Sequence, residues 1–385
     1  MDSMKEKTRD ELFKVYKERR DKFIQKMKEQ NIDAIVFEDN EDKRDSSVRY
    51  FTGHPSDAAL VISQTGASVL IPWDENLARQ NAFVDKIIPS TRYERNTLRA
   101  IKAVLGTMKF SSQKIEISPA TPYPKFLECV DELNAYDVLC REKGVYDYAR
   151  QMRETKDQYE IECIKEAARI GDLIIDEIER QIKSGKIKTE SDAALLIEKE
   201  CRVHGCERTG FDTLAAGPER SFAIHAFPGY TNAPWPGKGL SILDFGVVYK
   251  GYTSDTTLTV AKGRLKAEQQ ELLRLVQKAY DECLELYKKD VPIKAAAAKA
   301  DEIFSKARRA MPHGLGHGIG LEIHEAPFVR QRTDSEQVFK PGMVVTLEPG
   351  LYDPELGGVR LENDVLITES GNEVLSHSKI LVLQN

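Results

Sequence analysis

The sequence predicts an α/β domain followed by an α+β domain, and two observations lead to this fold class. Short apolar strands alternate with helical segments from the N-terminus to about residue 150, which is typical of an α/β domain. Around residues 146–160 the pattern changes to long amphipathic helices and groups of strands. Because 385 residues suffice for two cores, we expect one domain over residues 1–150 and a second over residues 151–385.

Helix and strand signals follow one another in the first domain. A charged amphipathic helix over residues 8–30 leads into a buried strand at Asp33–Phe37. The remaining predictions are strands at 58–63, 68–72 and 115–117 and helices at 75–85, 95–106 and 123–133. We expect these elements to form a single layered α/β unit.

Long helices precede each group of strands in the second domain. Asp157–Ser184 has isoleucines at helical spacing, and Ser191–His204 follows a capping signal at Thr189–Asp192. The other predicted elements are helices at 266–287 and 293–310, extended segments at 211–216 and 223–227, a hairpin at 241–260, and strands at 344–347, 359–366 and 373–383. The second domain thus contains two successive sets of helices followed by strands, a pattern compatible with an internal pseudo-symmetry.

Composition excludes several classes of protein. The net charge of -6 argues against a nucleic-acid binder, which normally has a basic surface. No run of about 18 apolar residues predicts a membrane span, and the charged N-terminus is not a signal peptide. The 6 cysteines are scattered without a Cys-x-x-Cys pair, which is typical of reduced thiols in a cytoplasmic protein. We therefore expect no nucleic-acid partner, no membrane association and a cytoplasmic location.

The hairpin at 241–260 contains an unusual pair of acids. Its β-branched and aromatic residues flank a turn-like segment, and a turn centred between residues 249 and 250 places Asp244 directly opposite Asp255. Directly opposed residues have Cβ atoms about 5 Å apart, where like charges destabilise a sheet. Two facing carboxylates that are partly buried need a cation or a shared proton. The hairpin is therefore a candidate metal site.

Further candidate ligands lie downstream of this hairpin. His317 belongs to the segment 312–325, in which glycines at alternate positions disfavour a helix and permit a close backbone approach. Glu348 ends an apolar strand and Glu362 lies inside one, where an unpaired carboxylate is out of place. Together with the hairpin acids, these residues make a set of carboxylates with few imidazoles.

Such a ligand set indicates a particular chemistry. Carboxylates with few imidazoles suit harder divalent ions such as Mn, and also Co, Fe or Zn. Four carboxylates carry four negative charges, which two divalent cations neutralise. Two metals about 3.5–4 Å apart can share a bridging hydroxide as nucleophile and polarise a substrate carbonyl. The residues alone therefore predict a dinuclear hydrolytic centre.

The motifs around these residues resemble those of a known family. They are Leu243–Gly246, Tyr249–Tyr252 followed by Asp255, His313–Gly318, Leu347–Gly350 and Gly358–Asn363, with Arg153–Lys156 at the start of the domain and Tyr50–Gly53 in the first domain. In this order they are similar to the pita-bread metallopeptidases, and within them to the proline-specific branch of Xaa-Pro dipeptidase (prolidase) and aminopeptidase P. The resemblance implies a creatinase-like N-terminal domain and an α+β pita-bread (creatinase/aminopeptidase) catalytic domain.

Roles for the ligands follow from the resemblance, position by position. It implies that Asp244 chelates one metal and that Asp255 and Glu362 bridge both. It further implies that His317 and Glu348 complete the second metal site. Glu348 would also shuttle a proton from the bridging water. The implied cofactors are two divalent metal ions, of which we expect Mn, with Co, Zn or Fe as alternatives.

Other residues of the site are also implied by the resemblance. His225 and His324 would face the substrate carbonyl and the leaving group, although His225 on its own is compatible with a structural role. Arg360, two residues from Glu362, would orient either the site or the substrate carboxylate. His313 is expected to support the ligands from outside the metal sphere or to orient the glycine-rich segment.

The function expected from the resemblance is hydrolysis of the peptide bond before proline in Xaa-Pro dipeptides, by a metal-bridging hydroxide. Aminopeptidase P, which uses the same ligands on longer peptides, is the close alternative, and a non-catalytic binding module is the alternative from another class. The intact ligand set speaks against a creatinase-like hydrolase, and the long N-terminal domain speaks against methionine aminopeptidase. The resemblance also implies a homodimer that takes a small peptide substrate.

Overall fold

The computed structural model describes residues 6–334 and 336–383. The chain divides between Met152 and Arg153 into two compact units, and each has hydrophobic clusters of its own. Among the described residues, no helix combines the length and the apolar composition that a membrane span requires.

The first unit combines helices with a mixed sheet. Its helices are α1 (Arg9–Glu29), α2 (Ser46–Thr52), α3 (Glu75–Asn81), α4 (Thr97–Leu105), α5 (Tyr123–Glu132) and α6 (Val145–Met152), with a 3-10 helix at Ser90–Tyr93. Its strands are β1 (Ala34–Asp39), β2 (Ala58–Ser63), β3 (Ser68–Pro72), β4 (Lys86–Ile87), β5 (Lys114–Ile117) and β6 (Asp137–Cys140). The strand order is β4-β3-β2-β1-β5-β6, with β1 antiparallel to β2 and parallel to β5. The predicted α/β character of this region is confirmed.

Apolar side chains on one face of this sheet form a hydrophobic cluster, and the alternate residues on the other face, such as Phe37 beside Phe23 of α1, are also buried. Val36, Val61 and Ile115 of the central strands pack in one cluster with Ile101 and Val104 of α4. Each fully buried aliphatic side chain of this kind contributes about 1.5–3 kcal/mol relative to exposure.

The second unit begins with two long helices. Its helices are α7 (Gln158–Lys183), α8 (Glu190–Val203), α9 (Ala267–Leu284) and α10 (Ile293–Lys306). Its strands are β7 (Arg208–Thr209), β8 (Leu214–Ala216), β9 (Gly239–Phe245), β10 (Val247–Tyr249), β11 (Tyr252–Thr253), β12 (Thr256–Lys262), β13 (Gly316–Gly318), β14 (Glu325–Val329), β15 (Val344–Leu347), β16 (Gly350–Asp353), β17 (Gly357–Arg360), β18 (Asn363–Ile367), β19 (Asn372–Val374) and β20 (Ile380–Leu383).

Each helix pair of the second unit packs on a different part of the strands. One cluster joins Ile174 of α7 and Ile197 of α8 to Leu243 of β9, in a sheet of order β20-β12-β9-β8. Another joins Val276 of α9 and Phe304 of α10 to strands of the sheet β14-β13-β15-β18-β19. The strands that carry the candidate ligands therefore lie between helices that shield them from water.

The predicted capping signal of α8 is confirmed. The Thr189 hydroxyl accepts a hydrogen bond from the Asp192 N–H at 3.1 Å, and the Asp192 carboxylate accepts one from the Thr189 N–H at 2.9 Å. This reciprocal pair satisfies two donors at the helix start and stabilises the helix by about 1 kcal/mol. It also fixes the position of Glu190, the first residue of α8.

The register of the central hairpin differs from the prediction. Asp244 pairs with Thr257, two residues beyond Asp255, so the predicted direct opposition of the two acids was wrong. The turn lies at Lys250-Gly251, where both residues have positive φ, 49° and 90°, as a two-residue hairpin turn of the I′ type requires. A shift of two residues keeps every side chain on its own face. Both carboxylates consequently still line the same cavity.

The predicted extended segment at 223–227 is also wrong. These residues belong to a connection between β8 and β9 that forms turns and bends but no strand. Its backbone makes turn bonds within the connection and one bond to β8, from the Ala215 N–H to the Gly229 carbonyl, and a side chain holds the Ile224 carbonyl, which accepts from Arg360.

Candidate metal centre

Strand ends bring the predicted ligands together. Asp244 is the penultimate residue of β9, and Asp255 directly precedes β12. Glu362 lies in a break between β17 and β18, and its backbone forms an isolated bridge with Thr257 of β12. The break turns the Glu362 side chain toward the hairpin acids, and the Thr257 hydroxyl donates to its Oε2 at 2.6 Å.

The remaining ligands come from the neighbouring sheet. His317 is the middle residue of β13, and Glu348 directly follows β15. A Cβ atom at Gly316 would lie 2.0 Å from the Thr346 carbonyl oxygen, and one at Gly318 would lie 2.3 Å from the Ala326 carbonyl oxygen. Only glycine therefore allows β13 to approach its neighbours this closely.

The ligand atoms converge on a small volume. One ligand atom from each of Asp255, His317 and Glu362 lies within 4.8 Å of the others, and these three buried residues can hold a metal ion. His317 Nε2 lies 3.6 Å from Asp255 Oδ2 and 3.6 Å from Glu348 Oε1. Asp244 reaches the same cavity beside Arg360, whose Nη2 lies 2.5 Å from Asp244 Oδ2.

Unbonded oxygens show that the donor set fits cations. Among the described residues, Oδ1 of Asp244 and Oδ1 of Asp255 are buried and have no hydrogen-bond partner. A buried carboxylate oxygen without a partner is costly, and a divalent cation would offset that cost. Carboxylate oxygens with one imidazole nitrogen are a ligand set for hard or borderline divalent ions.

Burial and mutual repulsion change the protonation of these acids. Burial, and then the charges of Glu362 and Asp244, hold the pKa of Asp255 well above its ordinary value. Burial, and then Glu362, do the same for Glu348. Burial and Asp244 raise the pKa of Glu362 from 4.5 to about 7. Cations would reverse these shifts, because they stabilise the ionised form.

His317 is held in the form that binds a metal. Burial, and then the neighbouring His324, lower its pKa to about 3. The rings of His317 and His324 have centroids 4.3 Å apart. His317 Nδ1 lies 3.2 Å from the Gly318 carbonyl, which leaves Nε2 directed at the carboxylates. A neutral imidazole with Nε2 free is the usual histidine ligand.

All three side-chain nitrogens of Arg360 donate hydrogen bonds to protein groups. Its Nε donates to the Thr257 hydroxyl at 3.0 Å, and its Nη1 donates to the Ile224 carbonyl at 3.0 Å and to the Tyr352 hydroxyl at 2.8 Å. Its Nη2 donates to Asp244. Since these bonds occupy most of its five N–H donors, the arrangement favours orientation of the site over capture of a substrate carboxylate.

A cavity of about 520 Å³ contains the whole arrangement. The predicted site residues that line it are His225, Asp244, Asp255, His317, His324, Glu348, Arg360 and Glu362. Apolar residues form much of the remaining wall: Phe211, Leu214, Ile224, Phe227, Ile323 and Phe328. Its size suits a small substrate with apolar parts.

Comparison with known proteins decides the family. Residues 162–369 match Metallopeptidase family M24, and residues 19–116 match the Creatinase/Prolidase N-terminal domain. The chain belongs to metallopeptidase family M24. The predicted fold class, a creatinase-like N-terminal domain followed by a pita-bread catalytic domain, is confirmed, and the protein is a metallopeptidase.

Individual M24 relatives are similar over almost the whole chain. The Xaa-Pro dipeptidase of Pyrococcus horikoshii is 31% identical over 361 residues, which cover 93% of this chain and 96% of the relative. The crystal structure of the prolidase from Pyrococcus horikoshii has a TM-score of 0.81 at 27% identity, with 94% of this chain and 99% of that chain covered. The X-Pro aminopeptidase from Thermotoga maritima has a TM-score of 0.82 at 28% identity, with the same coverage.

Two residues of this M24 site carried no clear signal in the sequence. Asp364 Oδ2 accepts from the Asp255 N–H at 3.1 Å and so supports the loop that carries that ligand. The Tyr352 hydroxyl lies 3.0 Å from His313 Nε2 and links this histidine to Arg360. Asp364 could have been noticed as a second acid two residues after Glu362, whereas nothing in its neighbourhood distinguishes Tyr352.

Proposed function

We propose that this M24 metallopeptidase hydrolyses the peptide bond that precedes proline in Xaa-Pro dipeptides. The observation that carries the proposal is the convergence, in one cavity, of every residue to which the family resemblance assigns a role. The similarity to an Xaa-Pro dipeptidase over nearly the full length of both chains supports the same substrate class.

We propose two divalent ions, and manganese as the resident metal, held by Asp244, Asp255, His317, Glu348 and Glu362. When bound, such ions would polarise the scissile carbonyl and increase the acidity of a water molecule. The predominance of carboxylate ligands supports manganese over softer metals. Elemental analysis of the purified protein tests both the identity and the number of ions.

The protein's own residues would move the proton. In the proposed reaction Glu348 accepts a proton from the attacking water and delivers it to the proline nitrogen as the peptide bond breaks. The Glu348 carboxylate lines the cavity, with Oε1 3.6 Å from His317 Nε2, so it lies among the other proposed ligands and can act as a general base there. Burial, and then His225, lower the pKa of His324, so His324 is neutral at pH 7 and can donate a hydrogen bond to the substrate.

The preferred substrate length separates the two proline-specific activities. Similarity to the X-Pro aminopeptidase of Thermotoga maritima supports aminopeptidase P as the second candidate. The Mn(II)-loaded protein should cleave Ala-Pro at least ten times faster, in kcat/KM, than Ala-Pro-Ala. Equal hydrolysis of the tripeptide would reject the dipeptidase. No turnover of either peptide with Mn(II), Co(II) or Zn(II) would favour a non-catalytic binding module.

The assembly and location of the protein are proposals of the same kind. We propose a cytoplasmic homodimer in which residues 1–150 form an accessory domain and residues 151–385 hold the catalytic residues. The composition of the chain and its family membership support this assignment. Light scattering after gel filtration tests the dimer, and limited proteolysis with mass spectrometry tests whether a cleavage-sensitive boundary lies near residue 150.

A further inference from the structure

One wall of the cavity is built by a connection without helices or strands. We call residues 217–231 the His225 loop. It contributes Ile224, His225, Ala226 and Phe227 to the cavity lining, and it runs between β8 and β9 without a helix or a strand. Two of its carbonyls accept from backbone outside the loop, Gly229 from the Ala215 N–H of β8 and Thr231 from the Ser191 N–H, each at 2.9 Å, and side chains from elsewhere add further bonds.

Glu190 bonds to both ends of the His225 loop. At the start of the loop, the Gly217 N–H donates to Glu190 Oε1 at 2.7 Å, and Arg220 Nη1 donates to Oε2 at 2.7 Å. At the end of the loop, the N–H and the hydroxyl of Thr231 donate to Oε2 at 2.7 Å and 2.6 Å. One carboxylate thus joins two chain segments that are remote from it in sequence.

The burial of Glu190 and its ion pair with Arg220 make these hydrogen bonds strong. Its side chain is 0% exposed, and its partner Arg220 is 20% exposed. Arg220 also donates to the Pro228 carbonyl, so the ion pair itself is tied to the middle of the loop. Hydrogen bonds to an ionised group away from water are about twice as strong as neutral ones, and the loss of one partner leaves an uncompensated buried group.

Other hydrogen bonds connect the His225 loop to strands and side chains next to the proposed metal ligands. The Ser221 hydroxyl donates to the Leu240 carbonyl at 2.8 Å and accepts from the Gly358 N–H at 3.0 Å. Arg360 holds the Ile224 carbonyl, next to His225, and also bonds to Asp244. With its two ends held by Glu190 and residue 224 held by Arg360, the loop has little freedom to move His225.

We propose that Glu190, paired with Arg220, is a positioning residue that holds His225 against the substrate. The inference deepens the proposed function and rests on it, since the substrate in question is the Xaa-Pro peptide. Glu190 does not line the cavity; it acts through the loop. Fixing a group near the scissile bond lowers the barrier because the orientation is established before the reaction.

The test compares Glu190→Gln with Glu198→Gln, an identical change at a half-exposed position of the same helix α8, where the carboxylate pairs with Arg202 at the surface. In the metal-loaded protein, Glu190→Gln should lower kcat/KM for Ala-Pro at least tenfold at unchanged metal content, while Glu198→Gln should stay within twofold of wild type. Arg220→Gln, which leaves the Gly217 and Thr231 bonds in place, is the second variant and should show the same effect to a smaller extent.

Coupling to His225 distinguishes positioning from a general loss of structure. In the His225→Ala background, adding Glu190→Gln should change kcat/KM by less than twofold, because the group that Glu190 positions is already absent. An equal loss in both backgrounds, for Glu190→Gln and for Arg220→Gln alike, would overturn the proposal.

A measurement without substrate keeps this inference separate from the proposed function. Phe222 and Tyr230 of the loop are each 41% exposed, and chymotrypsin can cleave after both. Cleavage at these sites should be at least fivefold faster in Glu190→Gln than in wild type or Glu198→Gln. An unchanged cleavage rate would refute the anchoring by Glu190, whatever the substrate proves to be. A wild-type protein that does not cleave Xaa-Pro peptides would instead refute the proposed function alone.

Discussion

Asp255 combines several features that distinguish a candidate metal ligand from a surface acid. It is buried, one of its oxygens has no partner among the described residues, and the other lies 3.6 Å from His317 Nε2. Its own N–H donates to Asp364, so the backbone that presents it is held in place. Such a carboxylate is stable in its ionised form only beside a cation.

Removing a charge from the centre should abolish activity. We expect Asp255→Asn or Glu362→Gln to lower kcat/KM for Ala-Pro by more than a thousandfold, because each removes a negative charge assigned to both ions. Activity with added Mn(II), together with metal content, checks this expectation. The control is Asp281→Asn on the exposed side of α9. Retained turnover in either site variant would contradict the bridging assignment.

His324 should behave differently from the ligands. We predict that His324→Ala lowers kcat for Ala-Pro at least tenfold and leaves the metal content unchanged, since its ring lies beside that of His317, tilted by 60°, but outside the buried cluster of Asp255, His317 and Glu362. Turnover and elemental analysis of the same preparation provide the comparison. If activity and metal disappear together, His324 is itself a ligand.

At the scale of elements, β13 illustrates how glycine positions a ligand. The strand carries His317 between Gly316 and Gly318, both of which lie almost against the backbone of a neighbouring segment. The His317 N–H donates to the Thr346 hydroxyl at 3.0 Å, which keeps the two strands in register. Any side chain at Gly316 would push β13 away from β15 and move the imidazole from the carboxylates.

Two glycine substitutions test this reasoning. Gly316→Ala should lower the melting temperature and the metal content, because its Cβ would lie 2.0 Å from the Thr346 carbonyl oxygen. Gly314→Ala is the matched control in the same segment, since its nearest neighbour, the Val329 carbonyl oxygen, is 3.3 Å away. Calorimetry and elemental analysis measure both effects. Equal behaviour of the two variants would show that the close approach at Gly316 is unimportant.

For the whole molecule, the buried acids link stability to pH. Burial, and then Asp244, raise the pKa of Glu362 from 4.5 to about 7, so in this interval the folded protein binds a proton more tightly than the unfolded chain. The resulting stabilisation is complete below pH 4.5 and is lost as the pH rises through about 7. The raised pKa of Asp255 acts in the same direction, so the neighbouring acids titrate together and add to this dependence.

Metal-free protein should therefore become less stable between pH 5 and pH 8, whereas Mn(II) should remove most of this loss. Melting temperatures of chelator-treated and Mn(II)-loaded protein across this range measure the effect. Metal-free Glu362→Gln is the control and should show a weaker pH dependence. A metal-free wild type as sensitive to pH as this variant would contradict the shifted pKa of Glu362.

Much of this architecture could be predicted from the sequence because it depends on local pattern. The helices α7 to α10 follow from apolar residues at helical spacing, and the capping box of α8 follows from Thr189 and Asp192. The order of the motifs along the chain was sufficient to identify the family, and the comparisons confirm that identification. Glu348 and Glu362 were found because acids inside apolar strands conflict with their surroundings, whereas Asp244 and Asp255 were found from a direct opposition that the structure replaces with a pairing of Asp244 and Thr257.

By itself, the sequence determined the fold class, the family and the identity of the candidate ligands, since these depend on residue types and short-range spacing. Only the tertiary structure decided the hairpin register, the hydrogen bonds of Arg360 to Asp244 and Ile224, and the hydrogen bonds that join the His225 loop to Glu190. The reason is that these bonds join residues remote in the chain, and their partners are selected by packing rather than by local preference.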